Sequence, residues 1–274
     1  MRKYPAITPA VIDGGHPHQS GTFGDYYFSI TDPIGERNAI FIDGNHLKKR
    51  FSQLASTQIF RIGETGFGTG LTFLIAYAAF LENAPPSARL QWISTERYPL
   101  TKNDLQKALN ALPLSNELSK LAAMLLVDWP MCIPTCHRRL FHHGRIVLDL
   151  HFSDATHVFE DLSGSVDAWC LDGFSPDRNP DLWTDELFRA IAAHSHHDTT
   201  VSTFSAARTV RDGLTSHGFR VNKVPGFGGK RDRLEATFSN QHRSNVWAPK
   251  AHTAAIDRIA IIGGGLSGAW TARA

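Results

Sequence analysis

A glycine-rich turn between a short apolar strand and a helix constrains the fold of this chain more than any other feature. Residues 64–70 read Glu-Thr-Gly-Phe-Gly-Thr-Gly, after a predicted strand at 59–63 and before a predicted helix at 71–81. Glycines let the backbone turn tightly and approach a ligand, and N–H groups at a helix start face that ligand. By itself such a turn also fits a plain tight loop, so its surroundings decide whether it binds a cofactor.

Downstream of this turn, short apolar strands alternate with longer helical stretches, which is typical of βαβ units in a mostly parallel sheet. We predict strands at 90–95, 145–151, 167–171, 200–204, 219–224 and 234–238, and helices at 102–112, 115–127, 185–194 and 206–217. The nine residues between the last two strands are too few for a crossover helix, so those strands should be antiparallel. The predicted fold is a doubly wound α/β sheet of seven strands with an antiparallel last strand, as in class I S-adenosylmethionine-dependent methyltransferases.

The chain outside this sheet divides into three further parts. Residues 1–57 carry turn signals and short apolar alternations, such as Ala39-Ile40-Phe41-Ile42-Asp43, and predict a β-rich N-terminal extension to a domain at 58–240. Residues 241–256 are polar and aperiodic and predict a linker. At 257–274 an apolar strand leads into Gly-Gly-Gly-Leu-Ser-Gly, the fingerprint that starts a dinucleotide-binding unit.

Four acidic residues follow four successive predicted strands: Glu64, Glu96, Asp154 and Asp172. Ligands of doubly wound sheets bind at these strand ends. Glu64 could accept the ammonium group of S-adenosylmethionine, and Glu96 its ribose hydroxyls, unless Glu96 only pairs with Arg97. Asp154 could contact the adenine amino group or simply cap a helix. The predicted cofactor contacts are Glu64, Gly66, Phe67, Gly68, Gly70, Glu96, Asp154 and Asp172.

The segment Asp172-Gly173-Phe174-Ser175-Pro176 indicates what the cofactor would react with. Enzymes that methylate nitrogen often place an Asp or Asn, a Pro and an aromatic residue at this position. We predict that Asp172 orients the amine and is a possible proton acceptor, and that Phe174 and Pro176 shape the acceptor pocket. A turn with a buried phenylalanine is the alternative.

These motifs resemble the methyltransferase half of the MnmC family, bifunctional enzymes of 5-methylaminomethyl-2-thiouridine synthesis in tRNA. The resemblance implies methylation of the aminomethyl group of 5-aminomethyl-(2-thio)uridine at the wobble position, with tRNA as partner and a cytoplasmic location, and we expect a monomer. Contacts of Lys230 and Arg231 with tRNA phosphates then compete with a merely solvated basic face. The segments that carry the resemblance are 64–73, 167–174, 179–183, 23–29, 44–45 and 226–231.

Residues 259–268 similarly resemble the start of the family's FAD-dependent oxidase half. A working dinucleotide site needs about 30 residues, and six follow Gly268 in this chain. FAD is therefore expected only for a full-length protein, not for this chain. Two other functions remain open: an S-adenosylmethionine-dependent methyltransferase of another amine, and a non-catalytic dinucleotide-binding domain.

Composition and short motifs argue against three classes of protein: membrane proteins, secreted disulfide-rich proteins and zinc-binding proteins. No run of about 18 apolar residues predicts a membrane span, and the N-terminus leads into no apolar signal segment. Three cysteines are too few for a disulfide framework, and a net charge of +2 permits but does not demand a polyanionic partner. Two of the cysteines and nearby histidines have the residue types of a zinc site, but with two prolines among them we expect a solvated loop and no metal. The histidines at 194–197 are interpreted as an exposed turn.

Overall fold

The structure is a computed structural model that describes residues 7–10, 12–13, 16–21, 23–229 and 231–239. The predicted linker at 241–256, the predicted dinucleotide-binding start at 257–274 and Lys230 lie outside these residues. Within them, no helix combines the length and the apolar character needed to cross a membrane.

The N-terminal segment begins as a hairpin and continues as helix. Strands β1 (Ile12–Asp13) and β2 (His16–Ser20) pair antiparallel. Helix α1 (Pro33–Arg37), a π-helix (Asn38–Asp43) and helix α2 (Leu47–Ser52) follow.

The β-rich extension predicted for residues 1–57 is thus wrong for its second half, where the apolar residues 39–43 lie in the π-helix. Asp32 starts the helical stretch, because its carboxylate accepts the N–H of Gly35 at 2.8 Å and Pro33 occupies the first turn. Ile40, Phe41 and Ile42 are all buried. All three belong to one apolar cluster, whereas a strand would send neighbouring side chains to opposite faces.

A mixed eight-stranded sheet forms the centre of the molecule, in the order β5-β6-β4-β3-β7-β8-β10-β9. Its strands are β3 (Ile59–Glu64), β4 (Arg89–Thr95), β5 (Cys136–Phe141), β6 (Ile146–His151), β7 (Val166–Cys170), β8 (Ser195–Thr203), β9 (Phe219–Pro225) and β10 (Asp232–Phe238). The helices are α3 (Leu71–Asn83), α4 (Lys102–Asn110), α5 (Asn116–Val127), α6 (Ala155–Glu160), α7 (Asp185–Ala193) and α8 (Arg208–Ser216). A 3-10 turn (Pro180–Leu182) follows β7.

All seven predicted strands form, and β10 runs antiparallel to both β8 and β9, which confirms the reversed last strand. The eighth strand, β5, pairs antiparallel with β6 and corrects the prediction of a loop around Cys136 and His137. An edge strand pairs on one side only, so it needs little apolar surface and its sequence looks like a loop. β8 also starts earlier than predicted, so His196 and His197 lie in a strand, while His194 is buried with Nδ1 2.8 Å from the carbonyl of Gly164.

Two apolar clusters cover the two faces of the sheet. Trp92 and Ile93 are neighbours in β4 but belong to different clusters, as do Trp169 and Cys170 in β7. Because successive strand residues point to opposite faces, the clusters lie on opposite sides of the sheet. Helices α2 to α5 contribute to the first cluster and α6 to α8 to the second, which gives the doubly wound arrangement.

The strand order places a crevice beside β3. The chain runs outward from β3 through β4 to β6, then returns to form β7 on the other side of β3. Such a reversal separates the loops that leave the carboxyl ends of neighbouring strands, and ligands of doubly wound sheets bind there. The loops that follow β3 and β7 carry residues 65–70 and Asp172.

Candidate active site

A pocket of about 860 Å³, the space open to solvent included, lies at the carboxyl ends of β3, β4, β6 and β7. Two sets of residues enclose it. The sheet wall consists of residues 65–69, 71–72, 95–98, 153–155 and 172–174 with Asn179 and Leu182. The N-terminal wall consists of Ala10, Ser20, Phe23, Tyr26, Tyr27 and Arg37.

The glycine turn contributes Gly66, Phe67 and Gly68 to the sheet wall, as predicted. Gly68 and Gly70 have φ of +53° and +73°, the left-handed region that glycine adopts without strain. Gly70 does not line the pocket; it is the residue that precedes helix α3. Its predicted role in cofactor binding is therefore at most to shape the turn.

Glu96 lies on the pocket wall and fastens the glycine turn to the end of β4. Its Oε2 accepts the N–H of Gly68 at 2.8 Å and its Oε1 that of Tyr98 at 2.8 Å. Each carboxylate oxygen can accept a further hydrogen bond. Burial raises the pKa of this carboxyl, and the two backbone N–H groups oppose that rise. Arg97 pairs instead with Asp154, at 3.6 Å, so the alternative of a Glu96–Arg97 ion pair does not apply.

Glu64 has a different environment from the one predicted for it. Its side chain is fully buried and outside the pocket lining. Oε2 accepts hydrogen bonds from Trp92 Nε1 at 2.9 Å and Ser94 Oγ at 2.6 Å, while Oε1 has no partner among the described residues. Burial raises the pKa of Glu64 to about 8. Glu64 does not line the pocket, so its predicted contact with an ammonium group stays a prediction.

Asp154 caps a helix and also lines the pocket, so its predicted contact with the adenine amino group stays a prediction. Its carboxylate caps α6 by accepting the N–H of Thr156 at 2.9 Å, and the residue also lines the pocket. The cap fixes the carboxylate at the end of β6, beside Ser153.

Asp172 lies where two pockets meet. It lines the pocket of the glycine turn and also a second pocket of about 890 Å³, open solvent included, whose wall contains Phe204, Phe227 and Gly228. Its Oδ1 accepts the N–H of Gly173 at 2.9 Å and its Oδ2 accepts Nη1 of Arg37 at 2.5 Å. Burial raises the pKa of Asp172, and the guanidinium of Arg37 opposes this.

Phe174 packs against the N-terminal wall, with ring centroids 4.6 Å from Phe23 and 5.4 Å from Tyr27. It lines the pocket of the glycine turn but not the second pocket. Pro176 lines neither pocket, so the structure does not bring it to the site with Asp172 and Phe174.

The loop between β9 and β10 approaches the second pocket from outside. Phe227 and Gly228 line that pocket, and Arg231 in the same loop is exposed. The loop thus lies beside the site. Of the two basic residues predicted to contact RNA, Arg231 is described and Lys230 lies outside the described residues.

Comparisons with known proteins identify the family to which the chain belongs. Residues 116–239 match a family model described as S-adenosyl-L-methionine-dependent methyltransferase. The chain is 45% identical over 262 residues to the tRNA 5-methylaminomethyl-2-thiouridine biosynthesis bifunctional protein MnmC of Aeromonas hydrophila, covering 92% of this chain and 39% of that protein. It is 42% identical over 260 residues to the protein of that name from Chromohalobacter salexigens, covering 93% and 37%.

The chain belongs to the MnmC family. It spans about 40% of the length of the curated MnmC relatives it matches. A crystal structure of MnmC2 from Aquifex aeolicus has the same fold, with a TM-score of 0.65 at 20% identity over 86% of this chain and 71% of that one. The fold is that of an S-adenosylmethionine-dependent methyltransferase.

The site of this MnmC-family chain fits S-adenosylmethionine in several respects. The pocket is concave and combines apolar walls with a few polar groups, as small-molecule sites do. Glu96 offers carboxylate oxygens for hydroxyl donors, and Phe67 and Leu71 provide apolar surface beside the glycines. Elsewhere in the described ranges, no group of three or more His, Cys, Asp or Glu side chains could hold a metal ion.

Sequence reasoning missed most of the N-terminal wall. Residues 23–29 belong to the predicted β-rich extension and carry part of the MnmC resemblance, but no sequence motif points to Arg37. Arg37 and Asp172 are 135 positions apart, and no local pattern connects them.

Proposed function

We propose that this chain transfers the methyl group of S-adenosylmethionine to the primary amine of 5-aminomethyl-(2-thio)uridine in tRNA. The curated MnmC relatives supply the substrate class by their name, and the family model supplies the methyl donor. With a tRNA substrate we expect the activity in the cytoplasm, and we propose residues 58–240 as the methyltransferase domain.

One observation carries the proposal to the level of residues: Asp172 lines both pockets. The pocket with the glycine turn and Glu96 would hold the cofactor, and the second pocket the uracil base. An amine entering from the second pocket would meet the carboxylate of Asp172 next to the cofactor pocket. Bound S-adenosylmethionine supplies an electrophilic methyl group.

The protein's own contribution is positioning. Two reactants held in aligned contact react far faster than free ones. The carboxylate of Asp172 would accept an N–H of the amine, orient its lone pair, and stabilise the positive charge that develops on nitrogen. The aromatic rings of Phe23, Phe174 and Tyr27 would exclude water from the reacting groups.

The direct test is methyl transfer to defined tRNA. The chain is incubated with labelled S-adenosylmethionine and tRNA that carries 5-aminomethyl-2-thiouridine, and the digested nucleosides are analysed by mass spectrometry. We expect the methylaminomethyl nucleoside. tRNA with an unmodified wobble uridine and free alkylamines are the controls. Labelling of those controls at an equal rate would favour a methyltransferase of another amine, and binding without transfer would favour a non-catalytic domain.

The second test concerns the tRNA surface. Arg231 is exposed in the loop beside the second pocket, and Lys230 precedes it in the sequence. Replacing both with alanine should reduce the slope of log binding constant against log salt by about one to two units. Lys48 and Lys49, exposed on α2, are the charge-matched control. An equal reduction in the control would mean that binding follows net charge alone.

A further inference from the structure

Arg37 is the buried cation of the site, and it comes from the N-terminal segment. Its Nη1 donates to Oδ2 of Asp172 at 2.5 Å, its Nη2 donates to the carbonyl of Tyr27, and its guanidinium lies over the ring of Phe41, 5.3 Å from the centroid. The side chains of Arg37 and Asp172 are 7% and 13% exposed. The pair is therefore held from three directions and largely shielded from water.

This pairing opposes the rise in the pKa of Asp172 that burial causes. Charged groups surround the carboxylate on several elements: Glu36 on α1 beside Arg37, Glu64 on β3, Glu96 after β4, and the thiol of Cys170 on β7. All of these, when ionised, disfavour a second anion, and burial disfavours it too. Among the groups that act on Asp172, Arg37 is the cation that favours the carboxylate.

The geometry also limits what Asp172 can do. Oδ2 accepts one hydrogen bond from Arg37, and Oδ1 accepts one from the N–H of Gly173. Because each carboxylate oxygen can accept two hydrogen bonds, each can still accept one more. A carboxylate in a buried ion pair with arginine is a well-oriented hydrogen-bond acceptor. It is suited to aligning an amine and to stabilising a nascent ammonium.

We propose that Arg37 is a positioning residue that keeps Asp172 ionised and fixes the direction of its carboxylate between the two pockets. The proposal rests on the proposed function for its catalytic meaning, but the proton state of Asp172 is a property of the free protein. Arg37 thereby links the N-terminal segment to the chemistry of the sheet.

The experiment measures the titration of Asp172 without substrate. Aspartate labelled with ¹³C at the side-chain carboxyl is incorporated, and the Asp172 resonance is identified by its loss in Asp172→Asn. We expect Asp172 to titrate about 1–3 pH units higher in Arg37→Met than in the wild type, since an adjacent arginine lowers an aspartate pKa by that amount. Arg37→Lys keeps the charge, so most of the wild-type titration of Asp172 should return in that variant. The fixed direction of the carboxylate should return by less than half, because lysine lacks the planar guanidinium.

A matched control separates this effect from a general loss of packing. Arg50 is also partly buried, donates to Thr200 Oγ1 at 2.8 Å and to the carbonyl of Asp167 at 2.9 Å, and lies over Phe60. These contacts are at the opposite end of β7 from Asp172. Arg50→Met should destabilise the protein and leave the Asp172 titration unchanged. If Arg37→Met does not fold, Arg37→Gln takes its place, because its amide can still donate to the carbonyl of Tyr27.

The outcomes distinguish the two proposals. Unchanged Asp172 titration in the neutral Arg37 variant, or an equal shift in Arg50→Met, would overturn the role of Arg37. If Asp172 shifts as expected but wild-type protein methylates no aminomethyl tRNA, the ion-pair assignment stands and the proposed function is wrong. If both proposals are correct, the fall of kcat/KM at low pH should begin at a higher pH in Arg37→Met than in the wild type. In the same variant kcat should fall by a larger factor than KM changes.

Discussion

The sheet wall and the N-terminal wall enclose the same pocket, but they are built in different ways. The sheet wall consists of loops that leave neighbouring strands, and contacts such as Gly68 to Glu96 and Thr156 to Asp154 join residues within these loops. The N-terminal wall is held to it by contacts between distant positions: Arg37 to Asp172, Phe23 to Phe174, and the N–H of Ala10 to the carbonyl of Pro99 at 3.1 Å.

The difference suggests a division of labour. The sheet wall carries the groups expected to bind cofactor, as in other doubly wound folds. The N-terminal wall adds aromatic surface and a buried cation around Asp172, and so sets the environment of the reacting groups.

Asp172→Asn should slow methyl transfer by about 100-fold or more, the size of effect typical for a group that stabilises charge in the transition state. Binding of S-adenosylmethionine should change less than about threefold. Single-turnover rates and calorimetry measure the two quantities. The substitution leaves Arg37 buried without its ion pair, so thermal unfolding must show that the variant is folded. A rate within twofold of wild type would mean that Asp172 is not the central group.

Glu96→Ala should weaken S-adenosylmethionine binding by about 10- to 100-fold, because charge-assisted hydrogen bonds contribute about 1.5–3 kcal/mol. Glu64→Gln should change it by less than about threefold, since Glu64 is buried behind the pocket. Calorimetric titration of both variants compares the two carboxyls directly. Equal losses would restore Glu64 as a cofactor contact, as the sequence predicts.

Glu64 should also make the stability of the fold depend on pH. Its pKa of about 8 lies above the ordinary value of 4.5, so folding favours the protonated form. Its contribution is complete below about pH 4.5 and is lost as the pH rises through 8. Between pH 6 and pH 9, wild type should lose at least about 1.4 kcal/mol of unfolding free energy relative to Glu64→Gln, which has no such titration. Urea unfolding at both pH values gives the comparison, and parallel losses in the two proteins would contradict it.

Phe23 and Phe174 should act as a coupled pair across the two walls. A double-mutant cycle with Phe23→Leu and Phe174→Leu should give a coupling of about 0.5–1.5 kcal/mol in kcat/KM, the range for aromatic pairs in contact. Phe219 and Phe238, whose ring centroids are 4.9 Å apart in β9 and β10, form the control pair. A coupling near zero for Phe23 and Phe174 would show that the walls contribute independently to the reaction.

Sequence patterns were sufficient wherever structure follows from neighbouring residues. The glycine turn, Glu96 and Asp154 are where βα loops place them, because the carboxyl ends of parallel strands meet at one edge. Seven strands were predictable from apolar runs, and β5 was not, since an edge strand needs little apolar character.

Tertiary structure alone decided which carboxyl faces which surroundings. Glu64 and Glu96 end adjacent strands and look equivalent in sequence, yet Trp92 and Ser94 enclose the first while the second faces the pocket. The ion pair of Arg37 with Asp172 was equally invisible, because it joins a helix before the sheet to a loop near its centre. Periodicity reports which residues are buried in an element; it contains no information on which buried groups meet, since that depends on how the elements pack.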